Sequence, residues 1–567
     1  MRLFQLSAVW WCAACWAGGI EQQLNVRIPM RDGVHLAANL FRPAGAGRLP
    51  ALLVRTPYGK GAGLAANYRP FVEAGYAVVL QDVRGRFGSE GAFDPLRQES
   101  NDGEDTLNWI ARQSWSNQRI GMLGGSYLGI VQWKAALLAN PYLKAIFPLV
   151  SGCDDYLDRF YSRGGALKLG QRLEWMAQNV RAPGTGKPPF ERFVLHLPLR
   201  TADRAATHRA VDFFQQALDH PSYDAYWKAL STRAQLHRVS VPVFSVGGWY
   251  DNFVESDLEA FRILRSFGKL HRILIGPWPH SVGAGFTEVD FGPQAKPLIR
   301  KYQLEWFDYW LKADRRGGQP PAAAARPPAR IFVMGVNRWR DEEQWPLRRA
   351  RPTAFYLSSQ GRANSLEGDG RLARRRPPEQ PPDQFVYDPR DPVPTTGGPV
   401  CCDPNVFPWG PRDQRALEKR RDVLVYSSEP LARDLEVTGP VRVALWVSTS
   451  APDTDFTAKL VDVHPDGRAL NLCDGILRLR YRESLEQPAP ARPGEVYQIA
   501  LEAGVTSNVF RKGHRVRLEI SSSNFPRFDR NPNTGRAAAD EQELRRASQT
   551  LYHDRRRPSR LELPVVR

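Results

Sequence analysis

Cysteine is scarce in this sequence, with six residues in a chain of 567. Two of them, Cys12 and Cys15, lie near the N-terminus. The other four show no paired C-x-x-C spacing of the kind that holds zinc, and they are Cys153, Cys401, Cys402 and Cys473. The adjacent pair Cys401 and Cys402 can supply at most one ordinary long-range disulfide. The sequence therefore predicts no metal site.

No stable membrane span is predicted either. Arg2 is followed by an apolar run from Leu3 to about Ala17 and then by small residues up to Gly19. Such a run is short for a membrane-spanning helix and is typical of a secretory signal peptide. Residues 1–19 are therefore predicted to direct secretion or periplasmic export, whereas a mis-assigned start codon would leave the protein in the cytoplasm.

The sequence also lacks a long basic helix and any nucleic-acid-binding motif, although its net charge is +18. Its basic residues are spread along the chain in short clusters such as 374–376 and 555–557. This distribution is typical of an arginine-rich solvated surface. Nucleic acid is not a predicted partner.

What the sequence does contain, from residue 24 onward, is a series of short apolar runs that alternate with helix-like segments. A hairpin with Arg31, Asp32 and Gly33 at its turn comes first. LPALLVRTPYG, YAVVLQDVRG, RIGMLGGSY and LKAIFPLVSG follow as strands. Near-continuous apolar strands between helices indicate a parallel sheet covered on both faces, which is an α/β fold.

Composition divides the chain into further parts. The amphipathic segment 151–238 predicts a helical cap inserted into an α/β core that spans residues 20–150 and 239–313. Residues 314–330, rich in proline and alanine, indicate a linker. Short alternating strands from 331 to 567 predict a C-terminal β-sandwich. No internal repeat is present.

One segment, GMLGGSYLGI at 121–130, nearly matches the nucleophile elbow G-x-S-x-G. Leu128 stands where the last glycine belongs, and Gly129 comes one place later. A strand that turns sharply into a helix would place Ser126 at the carboxyl edge of the sheet. Asp251 and His280 each follow a buried-strand pattern farther on, in the order that α/β-hydrolases use for their acid and histidine. These residues are the predicted catalytic triad.

The segments GGSYLG, RTPYGKG, QDVRGRFGSEG, GGWYDNF and GPWPHS resemble those of the X-Pro dipeptidyl-peptidase and cocaine esterase-like (CocE/NonD) serine hydrolases. The elbow of that family is commonly G-x-S-Y-x-G, which accounts for the late glycine. The resemblance covers nearly the whole chain after residue 24. It implies an α/β-hydrolase core with a helical cap that forms the acyl pocket, and a C-terminal jelly-roll domain.

The resemblance also assigns site residues. It makes Ser126 the nucleophile, His280 the general base and acid, and Asp251 the orienting carboxylate. Tyr58, through its phenol, and Tyr127, through its backbone N–H, would form the oxyanion hole. Substrate-binding candidates are Phe253, beside the acyl group, and Asp154 and Asp155, which could bind an α-amino group as in α-amino-acid ester hydrolases. Helix capping or a surface role is the alternative for the two aspartates, and it is favoured over amine binding.

The predicted function is hydrolysis of an ester or amide through an acyl-enzyme, without a cofactor, on a small-molecule or short-peptide substrate. A carboxylesterase is favoured because the chain is short of the extra N-terminal domain found in some dipeptidases of the family. An X-Pro dipeptidyl-peptidase and an α-amino-acid ester hydrolase or acylase are alternatives. A secreted binding protein with a vestigial site is a more distant one. The sequence leaves homo-oligomer formation open.

Overall fold

The computed structural model describes residues 19–312 and 327–567. Within these residues the chain forms a mixed sheet with helices on both faces, a helical cap and a C-terminal all-β domain, so the predicted fold class is confirmed. Apart from Gly19, the predicted signal peptide lies outside the described residues, as does most of the predicted linker. No helix in the described ranges is both long and apolar enough to cross a membrane.

The first sheet has the strand order β1-β2-β4-β3-β5-β6-β7-β8-β9-β10. Its strands are β1 (Ile20–Pro29), β2 (His35–Pro43), β3 (Leu49–Thr56), β4 (Ala77–Asp82), β5 (Ser116–Gly125), β6 (Leu143–Leu149), β7 (Val243–Tyr250), β8 (His271–Pro279), β9 (Ala329–Val333) and β10 (Arg338–Glu342). The predicted hairpin opens the sheet as the antiparallel pair β1–β2. The strands from β4 to β9 in this order pair in parallel.

Helices cover this sheet or build the cap. They are α1 (Arg69–Glu73), α2 (Glu99–Arg112), α3 (Tyr127–Ala136), α4 (Leu169–Asn179), α5 (Phe190–Val194), α6 (Ala202–Thr207), α7 (Asp212–Asp219), α8 (Ala225–Leu230), α9 (Val254–Ser266) and α10 (Ile299–Phe307). Shorter helical turns lie at Asp155–Phe160, Leu199–Thr201, Arg233–Arg238, Pro293–Ala295, Asp308–Lys312 and Leu479–Tyr481. Helices α2, α3 and α9 pack on one face of the sheet, and α1 and α10 pack on the other. Burial on both faces explains the continuous apolar runs of the central strands.

The cap consists of the helical segments between β6 and β7, which start at Asp155 and end at Arg238. It has its own core, in which Trp227 and Phe214 are fully buried. Side chains of the C-terminal domain, including Phe407, join this core. The cap is thus packed against both of the other parts.

The C-terminal domain has strands with buried and exposed side chains in alternation, as β13 and β21 show. Its strands are β11 (Ala350–Ser358), β12 (Arg371–Ala373), β13 (Asp383–Tyr387), β14 (Leu424–Ser427), β15 (Leu435–Thr449), β16 (Asp455–Val463), β17 (Ala469–Arg478), β18 (Tyr497–Phe510), β19 (Arg515–Ser521), β20 (Ala547–Tyr552) and β21 (Arg560–Val566). Most pairs are antiparallel, and the exception is β12 with β14. Buried residues of this domain form one core with Trp249, Leu258 and Phe261 of the α/β core.

Strands β9 and β10 follow the predicted linker but belong to the first sheet. Strand β9 pairs in parallel with β8, with Ile273 opposite Ala329, and β10 completes the same edge. The first sheet therefore extends to Glu342. The prediction followed the change in composition after the proline-rich segment, whereas strand membership depends on which edge offers unpaired backbone groups.

Helix α3 approaches the end of β6 closely. A Cβ atom at Gly129 would lie 2.6 Å from the Cβ of Ser151 and 3.2 Å from the carbonyl oxygen of Leu149. A Cβ at Gly124, where φ is +135°, would lie 2.5 Å from the Cβ of Leu128. Leu128 thus occupies the place of the usual last glycine, and Gly129 makes the close contact.

Gly129→Ala is therefore expected to destabilise the protein. Alanine favours a helix by about 1 kcal/mol over glycine, but overpacking costs about 1–3 kcal/mol, so the clash should outweigh the gain. Urea unfolding of this variant measures the balance. The matched control is Gly186→Ala, because a Cβ at that position meets no atom within 4 Å. A gain in stability at position 129 would contradict the close contact.

Candidate active site

Ser126 lies in the sharp turn between β5 and α3. Its backbone has φ +58° and ψ −124°, a conformation that a non-glycine residue adopts only when its surroundings enforce it. The Ser126 N–H donates to the carbonyl of Leu149 at 2.9 Å, and the N–H of Gly129 donates to the Ser126 carbonyl at 2.8 Å. These bonds fix the turn to both β6 and α3.

Asp251 and His280 follow the ends of β7 and β8, at the same edge of the sheet as Ser126. His280 Nε2 is 3.0 Å from Ser126 Oγ, and His280 Nδ1 is 2.7 Å from Asp251 Oδ1. Asp251 is fully buried, and its second oxygen accepts the Phe253 N–H at 3.2 Å. Because a carboxylate only accepts, Nδ1 carries the hydrogen and Nε2 is free to accept from the serine hydroxyl. The three predicted residues thus form one hydrogen-bonded chain.

Tyr58 lies in the loop after β3 and points its phenol toward Ser126. Trp175 of α4 donates its indole N–H to the Tyr58 oxygen at 3.1 Å. Although Tyr58 is 40% exposed as a residue, desolvation of its phenol raises the pKa, while hydrogen bonds with Trp175 and Ser126 act in the other direction. The raised pKa keeps the phenol protonated at neutral pH. Its hydrogen is therefore available for donation toward the Ser126 side.

Tyr127 begins α3, where the first N–H groups have no acceptor within the helix. Its ring is buried. Its phenol donates to Glu99 at 2.6 Å, and Glu99 pairs with Arg55 at 2.7 Å, so these contacts hold the turn in place. The ring also stacks on Trp175, with 6.3 Å between centroids and an interplanar angle of 4°. The backbone N–H of Tyr127 is thus held beside Ser126.

The space above Ser126, called the Ser126 pocket below, encloses about 510 Å³, part of it open to solvent. The α/β core lines it with Tyr58, Ser126, Tyr127, Asn252 and Phe253. The Phe253 ring lies 5.6 Å from the His280 ring, so this substrate-binding candidate does face the site.

The other parts of the chain close the pocket. The cap contributes Arg159, Phe160, Gln171, Arg172, Trp175 and Phe213, and the C-terminal domain contributes Cys401 and Cys402. Sequence reasoning missed all of these. One signal in the sequence could have indicated two of them. Arg172 and Trp175 are three residues apart in an amphipathic helix, so they share a face of that helix.

Cys401 and Cys402 are bonded to each other. The pair therefore supplies no long-range disulfide, which is within the predicted maximum of one. Cys153 and Cys473 are buried free thiols.

Asp154 and Asp155 are not among the residues that line the Ser126 pocket. Asp154 caps the turn Asp155–Phe160 by accepting the Leu157 N–H at 3.0 Å, and its other oxygen accepts hydroxyls of Tyr223 and Ser231. Asp155 accepts from Lys134 Nζ at 2.6 Å and pairs with Arg159. Both carboxylates are engaged within the protein, which matches the capping alternative for Asp154.

A serine and a histidine in hydrogen-bond contact at strand ends, below a helical cap, define an α/β-hydrolase. The family model for the X-Pro dipeptidyl-peptidase (S15 family) matches residues 32–282, and that for the X-Pro dipeptidyl-peptidase C-terminal non-catalytic domain matches residues 321–562. The cocaine esterase of Rhodococcus sp. (strain MB1 Bresler) is 41% identical to this chain, over 97% of the chain and 99% of that protein. The chain belongs to the X-Pro dipeptidyl-peptidase (S15) family, as its motifs indicated, and is a hydrolase.

Solved structures agree with this assignment. An α-amino acid ester hydrolase superposes with a TM-score of 0.83 at 27% identity, covering 100% of this chain and 98% of that one. An aminopeptidase from a marine sediment archaeon, Thaumarchaeota archaeon, gives the same TM-score of 0.83 at 27% identity, covering 97% of each chain. Members of this fold therefore include both ester and peptide hydrolases.

Asp154→Ala is expected to lower stability without changing substrate choice. The change leaves two hydroxyls and one N–H without their acceptor, at a cost of about 1–3 kcal/mol per buried group. Urea unfolding measures the loss, with the exposed cap residue Asp212, changed to alanine, as control. The ratio of kcat/KM for methyl phenylglycinate to that for methyl phenylacetate should stay constant. A selective loss on the amino-bearing ester would instead indicate amine binding.

Proposed function

We propose that this protein is a carboxylesterase that acts through an acyl-enzyme on Ser126. The hydrogen-bonded chain from Ser126 through His280 to Asp251 is the observation that carries the proposal. Ser126 Oγ bonds to the ester carbonyl carbon while His280 Nε2 takes its proton. The ester C–O bond then breaks, and the proton passes to the leaving alcohol. Water repeats the sequence and releases the acid.

The negative charge that develops on the carbonyl oxygen is bound by the Tyr58 phenol and the Tyr127 N–H. The indole of Trp175 occupies a lone pair of the Tyr58 oxygen, which directs the phenolic hydrogen elsewhere. An N–H at the start of α3 also lies at the positive end of the helix dipole. Both features favour an oxyanion over a neutral carbonyl.

Ester hydrolysis is favoured over the two alternatives that need a free amino group. Among the described residues, no Asp or Glu lines the Ser126 pocket, so nothing there would pair with a substrate ammonium. Sequence identity also favours an esterase, since three Xaa-Pro dipeptidyl-peptidases are 21–22% identical to this chain and the cocaine esterase is 41% identical. Intact triad geometry argues against a purely binding role.

Ser126→Ala should abolish hydrolysis of short-chain p-nitrophenyl esters, with a loss of about 10⁴-fold or more. Gly-Pro and Ala-Pro p-nitroanilides should be poor substrates of the wild type. A fluorophosphonate probe should label the wild type and not the variant. Cleavage of the anilides at rates that match the esters would favour the dipeptidyl-peptidase, and failure of both labelling and hydrolysis would favour the binding protein.

Tyr58→Phe should lower kcat by about 10²–10³-fold with little change in KM, because it removes one oxyanion donor and keeps the ring. The matched control is Tyr68→Phe, since Tyr68 precedes α1 and does not line the Ser126 pocket. Both variants are compared by steady-state kinetics on one ester. If the loss at Tyr58 fell on KM alone, its role would be limited to substrate binding.

A further inference from the structure

The Ser126 pocket has a charge of one sign. Arg159 and Arg172 are the charged residues that line it, and within the described part of the chain no carboxylate accompanies them on its wall. Both arginines line the same pocket as Ser126 and Tyr58. A substrate bound at Ser126 therefore lies beside two guanidinium groups.

Among the described residues, Arg159 has one ion-pair partner, and a second cation shares that partner. It pairs with Asp155, and the same carboxylate accepts from Lys134. All three side chains are buried. Burial and then the charge of Arg159 lower the pKa of Lys134 to about 7. One carboxylate thus serves both Lys134 and Arg159.

Arg172 has no carboxylate partner in the part of the chain that the structure describes. It is 9% exposed, and its Nε and Nη2 both donate to the carbonyl of Arg159, at 3.2 and 2.6 Å. Its guanidinium lies over the rings of Phe160, at 4.6 Å, and Trp175, at 5.6 Å. Burial, followed by repulsion from Arg159, lowers its pKa to about 9, so it remains charged at neutral pH.

A buried guanidinium without an anion, as Arg172 is among the described residues, is costly, and the neighbouring charge of Arg159 adds to the cost. The cost falls when a ligand supplies the missing negative charge. The rings of Phe160 and Trp175 and the two bonds to Arg159 hold the guanidinium in place, and Nη1 and the second hydrogen of Nη2 are left for a ligand. A planar carboxylate matches a fixed guanidinium, because two parallel N–H···O bonds can form.

We infer that the Ser126 pocket selects acyl groups that carry a second carboxylate, so that its substrates are half-esters of dicarboxylic acids. Arg172 would bind the distal carboxylate, with Arg159 beside it, while the ester carbonyl lies between Ser126 and Tyr58. The cap supplies both arginines, and it therefore determines this selectivity. The inference rests on the proposed ester hydrolysis at Ser126.

The test compares monoethyl succinate with ethyl butyrate, which share the length of the acyl chain and differ in the carboxylate. Ester cleavage is followed by pH-stat titration. Since a charge-assisted hydrogen bond contributes about ten- to hundredfold in binding, wild type should favour the half-ester by about that factor in kcat/KM. Arg172→Met should reduce this ratio at least tenfold, mainly through KM. Arg172→Lys should recover part of it, because the charge remains and the fork is lost.

Arg181→Met is the matched control, because Arg181 follows α4 and does not line the pocket. Its ratio should equal that of the wild type. A further pair, carboxymethyl butyrate and ethyl butyrate, places the charge on the alcohol. Preference for the charged alcohol and not for the half-ester would overturn the assignment of the arginines to the acyl side.

Two failures can be told apart. If wild type cleaves ethyl butyrate but shows no preference for the half-ester, or if Arg172→Met keeps the preference, the inference about the arginines falls and the esterase proposal stands. If wild type cleaves neither ester and the fluorophosphonate probe leaves Ser126 unlabelled, the proposed function itself falls. Circular dichroism of the Arg172 variants excludes loss of fold as the cause of a changed ratio.

Discussion

The close contact between α3 and the end of β6 determines the geometry of the whole site. Gly129 has no Cβ, so the helix can lie against Ser151 and the carbonyl of Leu149, and the turn that precedes it becomes sharp enough to force Ser126 into its unusual backbone conformation. That turn places Oγ within reach of His280 and the first N–H of the helix beside it. The glycine therefore acts on the serine through the position of the helix axis.

The core of the site could be predicted from the sequence, because its signals are local. Ser126, Asp251 and His280 each follow a run of buried apolar residues, and parallel strands bring their carboxyl ends to one edge. No long-range information was needed for that step. Tyr58 and Tyr127 needed the family motifs, since an isolated tyrosine gives no sign of which way its phenol points.

Other features depend on partners that the sequence does not reveal. Strand β9 looks like any sandwich strand, and only the free edge of β8 decides where it pairs. Asp154 and Asp155 are carboxylates, the group expected to bind an amine. In the structure, however, Asp154 accepts the Leu157 N–H and Asp155 accepts from Lys134 Nζ. Nothing in the sequence distinguishes Arg172 from a surface arginine of this basic chain, because its burial depends on the packing of α4 against the core.

The wall of the Ser126 pocket formed by Cys401 and Cys402 belongs to a domain whose family description calls it non-catalytic. Residues 401 and 402 follow the whole α/β core in the chain, so they are synthesised after Ser126 and His280. The part of the chain made before them contains the triad and the cap residues of the pocket but not this part of its wall. Changes in the β-domain can therefore alter which molecules react without touching the reacting groups, in addition to the selection made by the cap arginines.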